Sequence, residues 1–203
     1  MPEIPLHRFR PALLACLAAT STALAQCEAG NLISNCGFEV DTAGWTTTWV
    51  DSLVRTTSAA HGGIASAETD ARFSATSNLF LSQITTCVPV NPETNYGVQT
   101  FFKLVSGAIP SCSVGTVFID ALKCAGFLVG NQSTLPAAID DQSWTRASGI
   151  AASPADALSV AVILTCQASL DFLVRQDDAF LAPAIFLDGF ESSDLSEWSS
   201  SSP

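Results

Sequence analysis

The chain has 203 residues, with 19 acidic and 8 basic side chains that give a formal net charge of -11. Apolar residues make up 48% of the chain, charged residues only 13%, and 12 Gly and 10 Pro interrupt it, which excludes a disordered chain and a helical bundle. A nucleic acid partner is also excluded, because the basic residues are scattered singly whereas phosphate binding requires clustered Lys or Arg.

The first 25 residues have the composition of a secretory signal peptide, with cleavage predicted after Ala25. Their uncharged stretch, 12–24, is shorter than the roughly 18 residues that span a membrane, so no membrane span is expected. The run Leu13-Leu14-Ala15-Cys16 superficially resembles a lipid-attachment site, but the apolar run before Cys16 is short, and lipidation is the weaker alternative. We predict export to the periplasm, the cell envelope or the extracellular space.

Runs rich in β-branched and aromatic residues predict seven strands between turn-forming clusters. In chain order they are 45–50, 79–90, 96–105, 114–122, 144–150, 158–166 and 172–181. Seven or more short strands in one domain indicate a β-sandwich. Alternation predicts that the even positions of 96–105 and of 158–166 face the core.

Six cysteines remain after residue 25: Cys27, Cys36, Cys87, Cys112, Cys124 and Cys166. An even number in an exported chain predicts three disulfides. A zinc site is the weaker alternative, because no pair has CxxC spacing and His61 is the only histidine beyond residue 25. Sequence cannot choose among the possible pairings; our preferred set joins Cys27 to Cys36, Cys112 to Cys124, and Cys87 to Cys166.

A family resemblance begins at Asn31. The stretch Asn31-Leu32-Ile33-Ser34-Asn35-Cys36-Gly37-Phe38-Glu39, followed by Gly44-Trp45, resembles the opening of carbohydrate-binding modules of the cellulose- and xylan-binding type. Three later stretches are similar to that family in the expected order: His61-Gly62-Gly63, Leu81-Ser82-Gln83-Ile84 and Asp177-Asp178-Ala179-Phe180-Leu181.

The resemblance covers about residues 28–183. It implies an all-β fold, a single galactose-binding-like jelly-roll β-sandwich over 26–183, with Trp45 in its core. Arg175-Gln176 departs from the family, whose members usually carry apolar residues there, and the six cysteines are not a general family feature.

The resemblance also implies a structural calcium ion. Family members commonly tie the Gly-Phe-Glu segment to the closing Asp-Asp strand through calcium, which makes Glu39, Asp177 and Asp178 the candidate ligands. Calcium binds six to eight oxygens, from carboxylates, carbonyls and water. Alternatively, the three residues are ordinary solvated carboxylates.

Glycans stack on aromatic rings and hydrogen-bond to amide and charged side chains. Alternation places Phe101 on the polar face of its strand beside Gln99 and Lys103, and this group is the first candidate for a ligand site. Trp49 and Trp144 are further candidates, although each is alternatively a core or edge residue.

No catalytic residues are predicted. Nucleophilic triads require a histidine, and His61 matches a structural position of the family. Asp140-Asp141 and Asp177-Asp178 are sequence neighbours, which point to opposite faces of a strand and therefore do not form a glycosidase pair.

Residues 184–203 form a separate C-terminal segment with a Ser-rich tail. The run Ile185-Phe186-Leu187-Asp188-Gly189-Phe190-Glu191, continued to Trp198, is similar to a segment that closes many exported proteins of Gram-negative bacteria, with Ser193 in place of Gly. The resemblance implies a bacterial source. The segment is either a strand docked through Phe190 and Trp198 or a sorting signal that a surface partner recognises.

These observations predict an exported, non-catalytic module that binds extracellular or cell-wall polysaccharide. Two alternatives remain: a structural or adhesive surface protein without a sugar site, and an accessory module of glycoside hydrolysis.

Overall fold

A computed structural model of the chain describes residues 27–48, 52–71 and 79–184. The predicted signal peptide at 1–25, the candidate Trp49 and the C-terminal segment from Ile185 onward lie outside these residues. Within the described ranges, no helix is long and apolar enough to cross a membrane.

Antiparallel strands form two sheets. The first has the order β1-β4-β11-β7-β8, and short strands β5 and β9 add to β11 and β7. Its members are β1 (Trp45–Thr48), β4 (Leu79–Thr85), β5 (Val88–Pro89), β7 (Ser111–Ile119), β8 (Leu128–Ser133), β9 (Ala137–Ala138) and β11 (Ser159–Ala168). A single 3₁₀ turn, Leu122–Cys124, lies between β7 and β8 among the described residues.

The second sheet has five strands in the order β10-β6-β12-β3-β2. They are β2 (Ser52–Thr56), β3 (Ser66–Ala71), β6 (Asn95–Gly107), β10 (Thr145–Ala152) and β12 (Phe172–Pro183). The inner faces of both sheets contribute to one buried apolar cluster. The predicted all-β sandwich is therefore confirmed.

Each of the seven predicted strand regions contains a strand, and the region 79–90 is divided into β4 and β5. Four further strands were missed: β2, β3, β8 and β9. β3 has the sequence Ser-Ala-Glu-Thr-Asp-Ala, which is poor in the residues that favour strands. Its backbone is held by pairing with β12 on one side and β2 on the other, so tertiary context overrides propensity.

The predicted core alternation is confirmed on β6, where every even position from Tyr96 to Leu104 is buried. On β11 the prediction holds for Val160, Val162, Leu164 and Cys166. It is wrong for Leu158, whose side chain is 43% exposed, because this residue precedes the strand, in the turn region at the end of the sheet. Trp45 is buried as predicted.

Three disulfides are present in the described residues, as predicted, but two of the preferred pairings are wrong. Cys27 pairs with Cys36, as expected. Cys112 pairs with Cys166, and Cys87 pairs with Cys124. The reason is register: β7 and β11 are neighbours, and their alignment places Cys112 directly opposite Cys166 with Cα atoms 4.1 Å apart. Sequence spacing carries no information about such a cross-strand neighbour.

The opening segment is fastened to the closing strand by Asn31. Its Oδ1 accepts hydrogen bonds from the backbone N–H groups of Ile33 and Leu181, both at 3.0 Å, and its Nδ2 donates to the Ala179 carbonyl at 2.8 Å. The next part of the family-like motif builds the core, since the rings of Phe38 and Trp45 pack 5.2 Å apart.

Candidate functional site

The outer face of the five-stranded sheet carries the predicted ligand-binding residues of β6. On β6, Val98, Thr100 and Phe102 are buried toward the core, so Gln99, Phe101 and Lys103 point away from it. All three are half-buried. The sequence prediction of which residues share this face agrees with the burial pattern.

The neighbouring strands add charged and aromatic residues to this face. In the β10 register Arg146 lies opposite Phe101, and its Nη2 donates to Gln99 Oε1 at 2.5 Å. In the β12 register Arg175 lies opposite Lys103, and Phe180 lies opposite Gln99. Arg175 forms an ion pair with Glu68 of β3 at 2.9 Å.

His61 covers Phe101. The two rings are stacked, with centroids 3.5 Å apart and an interplanar angle of 14°, and Trp144 packs edge-on against the imidazole at 5.9 Å. We call these three side chains the aromatic cluster. A third of the His61 side chain, 33%, remains exposed. The surface offered to a ligand is thus the imidazole and the indole together, rather than the bare phenyl ring.

Trp144 is positioned by the turn that precedes β10. Asp140 Oδ1 accepts hydrogen bonds from the backbone N–H groups of Gln142 and Ser143, at 3.0 and 3.1 Å. A short Asp side chain commonly stabilises a turn in this way. Asp140 therefore has a local structural role.

Carboxylates hold the loop that carries His61. Asp177 Oδ2 accepts hydrogen bonds from the backbone N–H groups of His61, at 2.7 Å, and Gly62, at 3.3 Å. Glu39 accepts from the N–H groups of Ile64, at 3.1 Å to each oxygen, and Ala65, at 3.4 Å. Two of the candidate calcium ligands thus fix the loop over the sheet.

Asp178 adds a side-chain contact to the same loop. Its Oδ2 lies 2.7 Å from His61 Nδ1. This contact orients the imidazole over Phe101 and leaves Nε2 facing away from the carboxylate. The stacking and the hydrogen bond to Asp178 together fix the position of His61.

The Asp177–Asp178 pair is arranged differently from the prediction. A β-bulge lies between Asp177 and Phe180, and Asp178 has a positive φ of 47°. A bulge interrupts the alternation of a strand. Both carboxylates consequently turn toward Gly37: Oδ1 of Asp178 lies 3.5 Å, and Oδ1 of Asp177 3.7 Å, from where a Cβ on that glycine would be.

Burial raises the pKa of Asp177 from 3.8 to about 7, and repulsion from the neighbouring Asp178 carboxylate adds to the increase. Hydrogen bonds from the N–H groups of His61, Asp178 and Gly62 act in the opposite direction. Burial prevails because removing a carboxylate from water strongly disfavours its charged form.

The donor set partly fits a calcium ion. The Oδ1 atoms of Asp178 and Asp177 lie 3.5 and 3.7 Å from the position of a Cβ on Gly37, and Glu39 Cγ lies 3.8 Å from it. Glu39 lies nearby, but both of its carboxylate oxygens accept N–H groups of the loop. In the described residues, no group of three or more His, Cys, Asp or Glu side chains is arranged as a metal site. Calcium at Asp177 and Asp178 would need carbonyl and water oxygens as its remaining ligands.

In the described part of the chain, no nucleophile is hydrogen-bonded to the His61–Asp178 pair. Among the described residues, the His61 ring bonds only to Asp178, and no hydroxyl or thiol is hydrogen-bonded to it. A triad requires that contact.

The structure brings Phe101, Gln99, Lys103 and Trp144 onto one face. His61 was not among the predicted ligand-binding residues, because its contact with Phe101 depends on a loop 40 positions earlier in the chain. Arg146 was not among them either, although its position two residues after Trp144 predicts a shared strand face.

No protein-family model matches the chain, and no curated protein matches it in sequence. Solved carbohydrate-binding modules are similar in fold. The xylan-binding domain from CBM 22 has a TM-score of 0.59 at 17% identity, covering 79% of this chain and 99% of that domain. TmCBM61 in complex with β-1,4-galactotriose has a TM-score of 0.53 at 13% identity, covering 75% and 98%.

The CBM22-1 xylan-binding domain of Paenibacillus barcinonensis Xyn10C is similar with a TM-score of 0.54 at 19% identity, covering 72% of this chain and 90% of that domain. The enzymatically active domain of bacteriophage CBA120 tailspike protein 4 also aligns, with a TM-score of 0.58 at 12% identity, but this chain spans only 21% of its length. These similarities establish that the chain has the jelly-roll fold of carbohydrate-binding modules.

Proposed function

We propose that this chain is a non-catalytic module that binds polysaccharide on the outer face of its five-stranded sheet. The observation that carries the proposal is the position of the aromatic cluster. His61, Phe101 and Trp144 lie beside Arg146 and Gln99, whose polar side chains can hydrogen-bond to a ligand. Flat rings accept the C–H faces of sugars, and adjacent amide and cationic groups bind hydroxyls. The similar folds of xylan-binding domains and of a module in complex with β-1,4-galactotriose support this assignment.

The test is native affinity electrophoresis of the purified protein in gels that contain soluble β-glucan, xylan, galactan or pectin. We expect retardation by at least one polymer, and we expect Trp144→Ala to weaken it by about tenfold, which corresponds to 1.4 kcal/mol. Phe127→Ala is the matched control, because Phe127 is an aromatic residue that is 81% exposed and lies just before β8 in the other sheet.

Three results would contradict the proposal. Absence of retardation by every polymer would favour the structural or adhesive alternative. Release of reducing sugar by the purified protein would favour a role in glycoside hydrolysis. Retardation that is unchanged in Trp144→Ala would place the binding surface elsewhere on the molecule.

We also propose that the module acts outside the cytoplasm. Three disulfides are typical of chains that fold in an oxidising compartment.

We further propose that the module holds a structural calcium ion at Asp177 and Asp178. Calcium would compensate the repulsion between the two carboxylates and hold Asp177 ionised. Calcium should raise the melting temperature of the chelated protein at pH 8, and Asp178→Asn should abolish this increase. An equal increase with magnesium would argue against a calcium site.

A further inference from the structure

Basic side chains are concentrated on the outer face of the five-stranded sheet. Beyond the predicted cleavage site the chain has only six: Arg55, Arg72, Lys103, Lys123, Arg146 and Arg175. Three of these, Lys103, Arg146 and Arg175, belong to this face. Such a concentration is unexpected in a chain whose formal net charge is -11.

The other basic residues have different environments. Arg55 donates to the backbone carbonyls of Phe38 and Glu39 at 2.7 to 3.0 Å, which makes it part of the scaffold. Lys123 is exposed in the 3₁₀ turn beside the other sheet. Arg72 lies outside the described residues.

Two of the three cations on this face have no counter-ion among the described residues. Arg175 is paired with Glu68. By contrast, Arg146 contacts the neutral Gln99 side chain, which orients one end of its guanidinium and leaves its other N–H groups for a ligand. No ion pair of Lys103 is found in the part of the chain that the structure describes.

The carboxylates near the aromatic cluster are held by hydrogen bonds to neighbouring groups. Asp178 is paired with His61, and Asp177 accepts backbone N–H groups beneath the loop. In the turn before Trp144, Asp140 accepts two N–H groups and Asp141 contacts Gln142. These four carboxylates are therefore hydrogen-bonded to the loop or within their own turn, and none of them forms an ion pair with Arg146 or Lys103.

Both cations adjoin the aromatic cluster. Arg146 lies opposite Phe101 across a strand spacing of about 4.8 Å, and Lys103 is two residues from Phe101 on the same face. A sugar stacked on the cluster would present its ring substituents to these side chains. Guanidinium groups bind carboxylates through paired, charge-assisted hydrogen bonds.

We propose that this face selects acidic polysaccharides, whose sugar units carry carboxylates, over neutral polymers with the same backbone. This inference rests on the proposed function and defines the ligand class of the same site. The cluster supplies stacking for both kinds of polymer, whereas only the acidic one offers carboxylates for ion pairs with Arg146 and Lys103.

The experiment compares each acidic polymer with its own carboxyl-reduced form, in which the acid is an alcohol and the backbone is retained. Polygalacturonate, glucuronoxylan and alginate provide three such pairs. We expect the purified protein to bind at least one acidic polymer about tenfold more tightly than its reduced partner. Arg146→Gln and Lys103→Gln should each reduce that ratio several-fold, and added salt should reduce it as well.

Lys123→Gln is the matched control, because it removes the same charge from the chain at a site away from this face. It should leave the ratio unchanged, and melting curves should confirm that every variant is folded. Equal binding to acidic and reduced polymers would overturn the inference while leaving the proposed function intact. Binding to neither member of any pair, nor to neutral glycans, would overturn both. An equal loss in Lys123→Gln would show that net charge is responsible, which also contradicts the inference.

Discussion

Asp177 and Asp178 direct their carboxylates to the same glycine although they are consecutive residues of one strand. Their Oδ1 atoms lie 3.7 and 3.5 Å from the position of a Cβ on Gly37. The β-bulge at Asp178, with its φ of 47°, produces this arrangement. Both carboxylates also hold the loop that carries His61, Asp177 through the backbone N–H of His61 and Asp178 through its imidazole.

The first prediction concerns pH. The pKa of Asp177 is about 7 in the folded protein, against an ordinary value of 3.8 for a solvated Asp. Between these values the folded state retains a proton that the unfolded chain releases. This stabilisation is complete below about pH 4 and is lost as pH rises through 7. It amounts to at most about 4 kcal/mol, at 1.36 kcal/mol per pKa unit.

The measurement is the melting temperature of calcium-free protein from pH 4 to pH 8. Asp177→Asn should remove the part of the decrease that Asp177 causes. Asp156→Asn, at an exposed loop position, should follow the wild-type curve. If the wild type and Asp177→Asn have parallel pH profiles, Asp177 does not titrate in this range.

The second prediction concerns the disulfides. Proteolysis without reduction, followed by mass spectrometry, should recover a peptide that links Cys112 to Cys166 and another that links Cys87 to Cys124. Replacing both Cys112 and Cys166 by Ala should lower the free energy of unfolding by about 4 kcal/mol in the chain-entropy description of a loop of this length. Recovery of a Cys87–Cys166 peptide would contradict the register of β7 and β11.

The third prediction compares two glycines with positive φ. A Cβ on Gly107, where φ is +95°, would lie 2.2 Å from the Asp171 carbonyl oxygen, so Gly107→Ala requires the β11–β12 connection to move. We expect it to cost more than about 3 kcal/mol. Gly30→Ala has a similar φ of +88° but nothing within 4 Å, and should cost only about 1 kcal/mol of backbone strain. Chemical denaturation measures both, and equal costs would indicate that the Gly107 contact is relieved easily.

The fourth prediction tests the link between the opening segment and β12. Asn31→Ala removes three hydrogen bonds, to Ile33, Ala179 and Leu181, and should lower the free energy of unfolding by about 1–3 kcal/mol. Asn131→Ala on β8 is the control, because Asn131 is exposed and should change stability by less than about 0.5 kcal/mol. Similar values for the two variants would mean that the Asn31 bonds are replaced by bonds to water at no cost.

The candidate site could be predicted only within single strands. Alternation on β6 correctly placed Gln99, Phe101 and Lys103 on one face, because successive side chains in a regular strand point to opposite sides. The same rule was wrong for the Asp177–Asp178 pair, since a bulge interrupts the alternation. The contact between His61 and Phe101 could not be predicted, because it depends on the fold of an irregular loop.

The sequence by itself determined the fold class, the seven principal strands, the even number of cysteines and the residues that share a face of β6. These features depend on composition and on local periodicity, because successive side chains of a strand point to opposite faces. Only the tertiary structure decided the partners of four cysteines, the placement of Arg146 opposite Phe101 and the convergence of two carboxylates over Gly37. Each of these depends on strand register or on a bulge, where a shift of one residue exchanges the two faces of a strand.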